Sequence, residues 1–323
     1  MKKLHQTLVA GIGTGLASCV CATEKIVHQP EPWVPVQIEP ASNDAPDFSG
    51  MPIDGRMLQS YDPSAANEGY LGFLSSDSAI ALWILAAFAL VAVLFALFVL
   101  VNGRAKLQDG FSGNLIDRWS IGDVAVHWFA AIPGLFLILT GLFIGSGWMW
   151  LEPMMAPHTW TVFIKGCVMI HNAFGIPFAV ALVILILKYM PRQIPASYDW
   201  AWFRCLGGYI NNGKNQHPDA GFANAGEKAY YWCVTVFGLI LTVTGLLMMW
   251  PDSLGITRNA ILLSLVLHIV SSVVLIAFTV VHVYMGAVMS EGGIENMLSG
   301  KCDENWARQN HNLWFAKQSL TAK

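Results

Sequence analysis

Four histidines lie inside strongly apolar stretches of the sequence: His127, His171, His268 and His282. An ionisable side chain within a membrane-spanning helix is costly and usually serves a function. For one isolated histidine, a hydrogen bond between helices explains such a position equally well. Four histidines in three segments weaken that explanation, and they predict a functional site.

His268 and His282 lie near the two ends of the stretch LHIVSSVVLIAFTVVH, fourteen residues apart. This interval is just under four turns of an α-helix, so both rings share one helix face about 21 Å apart. A single metal ion needs its ligands within a few ångströms of one point. The spacing therefore predicts two separate cofactors.

The segments that carry these histidines are long enough to cross a membrane. The 323 residues are 55% hydrophobic and only 12% charged, whereas a soluble domain carries about 25% charged residues. Five apolar segments reach the roughly 20 residues that cross a hydrocarbon core. They run approximately over 79–101, 121–145, 166–189, 229–250 and 260–288. Because backbone groups in lipid need internal hydrogen bonds, these segments must be helices, and an all-α integral membrane fold is predicted.

Basic residues are distributed unevenly between the loops. They concentrate after the first segment, between the third and fourth, and in the tail, while the other two loops carry only Lys165 and Arg258. The positive-inside rule then predicts a cytoplasmic C-terminus and periplasmic residues 23–78 for this multi-pass protein of a bacterial inner membrane.

The N-terminal region has a different character. Residues 1–22 look like a secretory signal peptide, and a lipoprotein box acylated at Cys19 is the alternative interpretation. Residues 23–78 hold seven prolines and nine acidic residues, which favours an extended or loosely folded periplasmic segment.

On this topology the four histidines fall at two depths. His127 and His282 lie near the cytoplasmic ends of their helices, and His171 and His268 lie near the periplasmic starts of theirs. Bis-histidine ligation of a b-type haem needs two neutral imidazoles that approach the iron from opposite faces. The sequence therefore predicts two b haems. The six cysteines form no CxxCH motif or four-cysteine cluster, which argues against c-type haem and Fe–S clusters.

Several motifs around the histidines match a known family. They are IDRWSIGDVAVHW, MIHNAFGIPFAVAL, NAGEKAYYW, LLSLVLHIVSSVVLIAFTVVHVYMGAV and GGIENMLSGKCDENWARQNHNLWF. With these motifs, residues 115–316 resemble the cytochrome b556, or γ, subunit of membrane-bound respiratory formate dehydrogenase. The resemblance implies a four-helix di-haem cytochrome b bundle with a cytoplasmic tail. Residues 79–101 would add one N-terminal transmembrane helix to that bundle.

The resemblance also implies that the protein transfers electrons in a respiratory chain during anaerobic respiration. A partner catalytic subunit with a molybdenum or tungsten centre oxidises formate, and an Fe–S subunit passes the electrons on. His171 and His268 would hold the periplasmic haem, and His127 and His282 the cytoplasmic one, which is also the pairing that the depths indicate. Menaquinone or ubiquinone would accept the electrons on the cytoplasmic side. A trimer of heterotrimers is implied as well, and no nucleic-acid partner is expected.

The resemblance places the quinone beside the cytoplasmic haem, close to His282. Asn224 and Gly226 match the family motif NAGxK, and the Asn224 amide would donate to a quinone carbonyl. Glu227 stands where a glutamine is expected. It is interpreted either as a proton relay from the cytoplasm or as a solvated residue at a helix start, where the helix dipole favours a carboxylate.

Three further polar residues have open interpretations. Asp123 either orients the His127 ring or conducts protons, or it is an interfacial acid. Arg118 either pairs with a haem propionate or is a positive-inside anchor. His311, in the tail, is expected to be a solvated surface residue.

Two other functions remain as alternatives. A cytochrome b subunit of a Ni–Fe hydrogenase or of another molybdoenzyme would use the same cofactors with a different partner. A transporter with histidines as proton relays is the remote alternative. Transporters often have repeated, broken helices around a midplane site, whereas this sequence has no evident internal repeat and its histidines avoid the midplane.

Overall fold

The computed structural model describes residues 77–210 and 217–321. The predicted signal peptide, the alternative acylation at Cys19 and almost all of the predicted periplasmic segment lie outside the described residues.

Five long helices dominate the described chain, and short elements connect them. The helices are α1 (Asp77–Asn102), α2 (Ile121–Trp150), α3 (Pro157–Tyr189), α4 (Asp199–Arg204), α5 (Ala225–Met249), α6 (Arg258–Tyr284), α7 (Glu295–Ser299), α8 (Glu304–Asn310) and α9 (Asn312–Thr321). Helices α1, α2, α3, α5 and α6 are long and apolar enough to cross a membrane. Because a spanning helix satisfies its own backbone hydrogen bonds in lipid, the apolar sequence folds in this way. The predicted all-α membrane fold is confirmed.

The long helices pack as two antiparallel pairs. Helix α2 packs along α3, and α5 packs along α6, while α3 and α5 join the pairs. Helix α1 packs on the outside against α2 and α6. Gly145 of α2 permits this contact, since a Cβ atom there would lie 2.6 Å from Cδ1 of Ile84. These packing contacts place α2, α3 and α6, which carry the four histidines, and α5 around one core.

A small polar layer closes the end of the bundle where α2 and α5 begin. Two short strands, β1 (Leu115–Asp117) and β2 (Lys301–Asp303), pair antiparallel there. The Gly300 carbonyl accepts hydrogen bonds from the backbone nitrogens of Arg118 at 2.9 Å and Trp119 at 2.8 Å. Gly300 has a φ of 76°, a left-handed conformation in which glycine is unstrained. The tail is thereby fixed against the start of α2.

Two helix starts differ from their predicted positions. The third segment is predicted from residue 166, but α3 begins at Pro157, and proline is favoured in the first helical turn. The fourth is predicted from residue 229, but α5 begins at Ala225, after an N-cap at Asn224. The predicted limits follow apolar content alone, which misses polar residues in a first turn. As a result His171 lies well inside α3 and not near its start.

Candidate functional site

The four intramembrane histidines lie in two facing pairs. The ring centroids of His171 and His268 are 6.3 Å apart, with an angle of 61° between the ring planes. Those of His127 and His282 are 6.4 Å apart, at 46°. Helix α6 supplies one ring to each pair, while α3 and α2 supply the others. The structure thus brings together the same two pairs of histidines that their predicted depths in the membrane indicate.

In the first pair, each imidazole is held by a threonine. Thr140 of α2 lies 2.9 Å from Nδ1 of His171, and its hydroxyl donates to the Phe136 carbonyl at 2.6 Å. With its own proton committed, the threonine oxygen accepts a hydrogen bond from Nδ1–H. This fixes the tautomer of His171 and leaves the lone pair of Nε2 to bind a metal.

The second ring of this pair has the same environment. Thr244 of α5 lies 2.9 Å from Nδ1 of His268, and its hydroxyl donates to the Ile240 carbonyl at 2.7 Å. Both threonines are buried. Two neutral imidazoles, each with the lone pair of Nε2 available to bind a metal, therefore face one another.

A glycine follows each of these threonines and lets the histidine approach. A Cβ atom at Gly141 would lie 3.3 Å from Cε1 of His171, and one at Gly245 would lie 3.4 Å from Cε1 of His268. The sequences LILTGL in α2 and LTVTGL in α5 encode the same arrangement twice. The sequence reasoning missed this short repeat, and with it Thr140 and Thr244.

The other pair is built differently. Nδ1 of His127 is buried and has no hydrogen-bond partner within the described residues. The His282 ring stacks on Tyr230 of α5, with centroids 4.1 Å apart and an angle of 11°. The Tyr230 hydroxyl lies 3.1 Å from Oγ1 of Thr279. Stacking and packing, in place of hydrogen bonds, hold these two imidazoles.

The residues present fit a haem at each pair. Bonds of about 2 Å from two opposed imidazoles to one metal ion bring their ring centroids to about 6 Å, which is the separation observed. Among residues 77–210 and 217–321, no group of three or more His, Cys, Asp or Glu side chains could hold a metal ion. Each histidine pair would supply two nitrogen ligands to a haem iron, and the macrocycle would supply the others.

The predicted quinone residues lie at the start of α5. Asn224 is the N-cap, and its side-chain oxygen accepts from the backbone nitrogen of Glu227 at 2.9 Å. The Glu227 carboxylate in turn accepts from the Asn224 nitrogen at 3.0 Å, which completes a capping box. The Asn224 oxygen is thus engaged in the cap, and its amide –NH2 is the group that remains to donate elsewhere.

Gly226 makes room for a neighbouring aromatic ring. A Cβ atom at this position would lie 2.6 Å from Cη2 of Trp202. The close contact gives Gly226 a packing role between α5 and the α4 segment.

Glu227 belongs to a buried polar cluster formed with Arg118, Asn296 and His311. Nη2 of Arg118 lies 3.2 Å from the Glu227 carboxylate, and the side chains are 2% and 33% exposed, respectively. Nη1 of Arg118 donates to Oδ1 of Asn296 at 3.1 Å. Since the guanidinium is buried and engaged inside the protein, the structure does not favour it as a partner for a haem propionate.

The expectation of a solvated His311 is wrong, because this residue is fully buried. Its Nδ1–H donates to the Gly221 carbonyl at 2.9 Å. Burial, together with the Arg118 guanidinium, lowers the pKa of His311 to about 4, so the ring is neutral. Its Nε2 has no hydrogen-bond partner within the described residues and lies 3.9 Å from Oε1 of Glu227.

Asp123 has an interfacial role. Its carboxylate forms a capping box with Ser120 at the start of α2. It also lies 3.3 Å from Nζ of Lys188 and 3.3 Å from Nη1 of Arg192. These contacts tie the start of α2 to the end of α3 and favour the interfacial interpretation over one that orients His127.

Comparisons with known proteins give relatives for most of this region. The family model described as prokaryotic cytochrome b561 matches residues 118–300. The nitrate-inducible formate dehydrogenase cytochrome b556(Fdn) subunit of Escherichia coli (strain K12) is 26% identical over 204 residues, 62% of this chain and 90% of the relative. The formate dehydrogenase cytochrome b556 subunit of Haemophilus influenzae is 28% identical over 202 residues, 60% of this chain and 80% of the relative. The cytochrome b556(fdo) subunit of E. coli K12 is 24% identical over 211 residues, 64% and 95% respectively.

Proposed function

Because the chain belongs to the prokaryotic cytochrome b561 family, we propose that it is the membrane anchor and electron-transfer subunit of a formate dehydrogenase. Electrons would enter at the His171–His268 level, cross to the His127–His282 level and reduce a quinone on the cytoplasmic side. The two facing histidine pairs are the observation that carries this proposal.

The histidine pairs would each hold one haem b. His171 with His268 and His127 with His282 would be the axial ligands, and bound haem supplies one-electron redox chemistry. The protein itself fixes the tautomers of His171 and His268 through Thr140 and Thr244 and positions the rings on helices. These contributions are those that a cofactor protein makes to chemistry carried by its cofactor.

The partners of the complex are inferred from the relatives. All three relatives named above are formate dehydrogenase subunits, which favours formate dehydrogenase over a Ni–Fe hydrogenase or another molybdoenzyme as the electron donor. A catalytic subunit with molybdenum or tungsten, and an Fe–S subunit, would supply the electrons. A trimer of heterotrimers is part of the same proposal, and residues 23–78 would form an arm that holds the periplasmic subunits.

Quinone reduction is assigned to the start of α5. The Asn224 amide would donate to a quinone carbonyl, close to His282. The reaction consumes protons. The Glu227 carboxylate is one third exposed and lies 3.9 Å from Nε2 of His311, which has no hydrogen-bond partner among the described residues. Glu227 would accept a proton from the cytoplasmic side and pass it toward the reduced quinone. The excess of basic residues on this side supports a cytoplasmic orientation.

An absorbance spectrum of the purified complex tests the haem assignment. Reduced-minus-oxidised bands of b haem, at two haems per copy of this chain, are expected. His171→Ala and His127→Ala should each remove one haem and leave the other. A complex without b haem would contradict the proposal, and two haems retained in either variant would contradict the pairing.

Copurification identifies the electron donor. Affinity capture of the full chain from membranes should recover a molybdenum or tungsten formate dehydrogenase subunit. Recovery of a hydrogenase large subunit in its place would support the alternative function.

A further inference from the structure

The two histidine pairs differ in the groups that contact their second ring nitrogens. Both members of the His171–His268 pair have Nδ1 within 2.9 Å of a threonine oxygen. In the other pair, Nδ1 of His127 is buried without a partner. Within the part of the chain that the structure describes, the His282 ring contacts Tyr230 by stacking and has no hydrogen-bonded hydroxyl.

The threonine oxygens are strong acceptors in this setting. Each threonine proton is directed to a backbone carbonyl one turn earlier in its helix, at 2.6 Å for Thr140 and 2.7 Å for Thr244. Both side chains are buried, at 5% and 4% exposure, where hydrogen bonds are electrostatically stronger than in water. The Nδ1–H groups of His171 and His268 therefore donate to buried threonine oxygens whose positions are fixed by their own hydrogen bonds.

A hydrogen bond donated by Nδ1–H increases electron density on the imidazole. The ligand becomes more basic at Nε2, and a more basic axial ligand stabilises ferric over ferrous iron, which lowers the reduction potential. Two such hydrogen bonds act on one pair and none acts on the buried Nδ1 of His127. The same helix α6 supplies a ligand to both pairs, so the threonines of α2 and α5 create the difference.

We propose that Thr140 and Thr244 are tuning residues that lower the potential of the haem held by His171 and His268 below that of the haem held by His127 and His282. This inference rests on the proposed function. With an Fe–S protein as reductant on one side and a quinone as oxidant on the other, each electron then moves downhill from the first level to the second. The threonines of the repeated LxxTG sequence in α2 and α5 would thereby favour electron transfer from the first haem to the second.

Threonine-to-valine substitutions test the proposal in the whole complex. Thr140→Val and Thr244→Val keep the side-chain shape and remove the hydroxyl. In a spectroscopic redox titration, each should shift the lower of the two midpoint potentials upward and leave the higher one unchanged. The double variant should shift the lower midpoint potential further. Thr140→Ser should leave that potential at its original value, because serine keeps the hydroxyl.

Thr242→Val is a matched control in the same helix. Its hydroxyl oxygen is buried and has no hydrogen-bond partner within the described residues, so neither midpoint should move. A shift as large as that of Thr244→Val would mean that hydroxyl loss in α5 acts nonspecifically, and would overturn the inference.

A second measurement is independent of the threonine variants. In His171→Ala the haem that remains should titrate at the higher of the two original midpoints, and in His127→Ala at the lower. The reverse order would overturn the inference. So would threonine-to-valine variants that move both midpoint potentials, neither of them, or only the higher one. In each of these cases, two bound haems would still support the proposed function. A parent complex that contains no haem would instead refute the proposed function.

Discussion

Individual side chains define two chemically different environments along α6. His268 donates its Nδ1–H to Thr244, whereas His282, nearly four turns further along, stacks on Tyr230. Tyr230 lies one turn beyond Glu227 on α5, so the same helix face that orients His282 also carries the carboxylate of the proposed proton path. This arrangement couples the position of the His282 ring, a proposed haem ligand, to the start of α5.

Glu227→Gln tests the proton path at the residue scale. Glutamine retains a side-chain oxygen that accepts from the Asn224 nitrogen, but it cannot take up and release a proton. We expect quinone reduction to slow on the order of 100-fold, as for the loss of a general acid–base group, while formate still reduces both haems. The two rates are measured separately, by quinol formation and by the haem absorbance.

Glu304→Gln serves as the control for that substitution. Glu304 pairs with Arg308 at 2.9 Å in the tail and has no part in the proposed proton path, so its replacement should leave quinol formation unchanged. If Glu227→Gln also leaves it unchanged, Glu227 is only a capping residue.

His311 makes the stability of the tail depend on pH. Its pKa is about 4 in the folded protein, below the ordinary value of about 6.5, so the unfolded tail binds more protons between these values. The contribution of His311 to the free energy of unfolding is therefore fully present above about pH 6.5. It is lost as the pH falls toward 4, which lowers the free energy of unfolding by up to about 3 kcal/mol. Thermal unfolding of the complex at pH 7 and pH 5 measures the decline.

His311→Asn should reduce that pH dependence, because asparagine does not titrate in this range and its amide can donate to the Gly221 carbonyl. An unchanged difference between pH 7 and pH 5 in this variant would assign the pH dependence to other groups.

Part of the site could be predicted from residue types and spacing alone. The two levels on α6 follow from the fourteen-residue interval between His268 and His282, whereas the position of His171 well inside α3 does not follow from the predicted segment limits. The burial of His311 could not be predicted, because it depends on the tail folding back against Arg118 and Glu227. The roles of Thr140 and Thr244 depend on contacts between helices, and only the repeated LxxTG pattern indicates them.

At the scale of elements, capping residues and buried ion pairs position the helices that carry the site. Lys228, in the first turn of α5, bonds both carboxylate oxygens of Asp199 at 2.9 Å. Asp199 is the first residue of α4, and both side chains are almost completely buried. This pair connects the loop between α3 and α5 to the helix that holds Asn224 and Thr244.

Lys228→Met should destabilise the protein more than replacement of both partners. The single variant leaves the Asp199 carboxylate buried without its cation, which costs about 3–5 kcal/mol. The double variant Lys228→Met/Asp199→Leu removes both charges and should recover much of that loss. Unfolding temperatures of the two variants and of Asp199→Leu form the double-mutant cycle, and additive effects would show that the pair is not coupled.

The apolar content of the sequence predicts the long helices, but it does not predict the residues at which α3 and α5 begin. Apolar content identifies each span because lipid excludes any other backbone arrangement. The first turns of α3 and α5 are polar or contain proline, so a hydropathy argument begins those helices too late. The capping box at Asn224 and Glu227 is a local sequence signal that corrects the start of α5.

In the described part of the chain, the His127–His282 pair lies between the His171–His268 pair and the polar layer that contains Arg118 and His311. The family model matches residues 118–300, so α1 and the residues before it lie outside the matched region. Apolar side chains such as Leu90 and Leu94 of α1 are more than half exposed, as expected of a helix that faces lipid on the outside of the bundle.

Under the proposed function, the orientation of the bundle would decide on which side of the membrane a quinone is reduced. We expect Ser253→Cys, in the exposed loop between α5 and α6, to react with a membrane-impermeant maleimide in intact spheroplasts. Ser319→Cys, on the exposed face of α9, should react only after the membrane is opened. Both substitutions are made in a chain with Cys19→Ser and Cys21→Ser, and the remaining native cysteine near the predicted periplasmic side, Cys167, is buried in α3. Cys205, in the predicted cytoplasmic loop, provides an internal control because it should follow the behaviour of Ser319→Cys. The opposite labelling pattern would place the His127–His282 level and Glu227 on the periplasmic side, and protons for quinol formation would then be drawn from there.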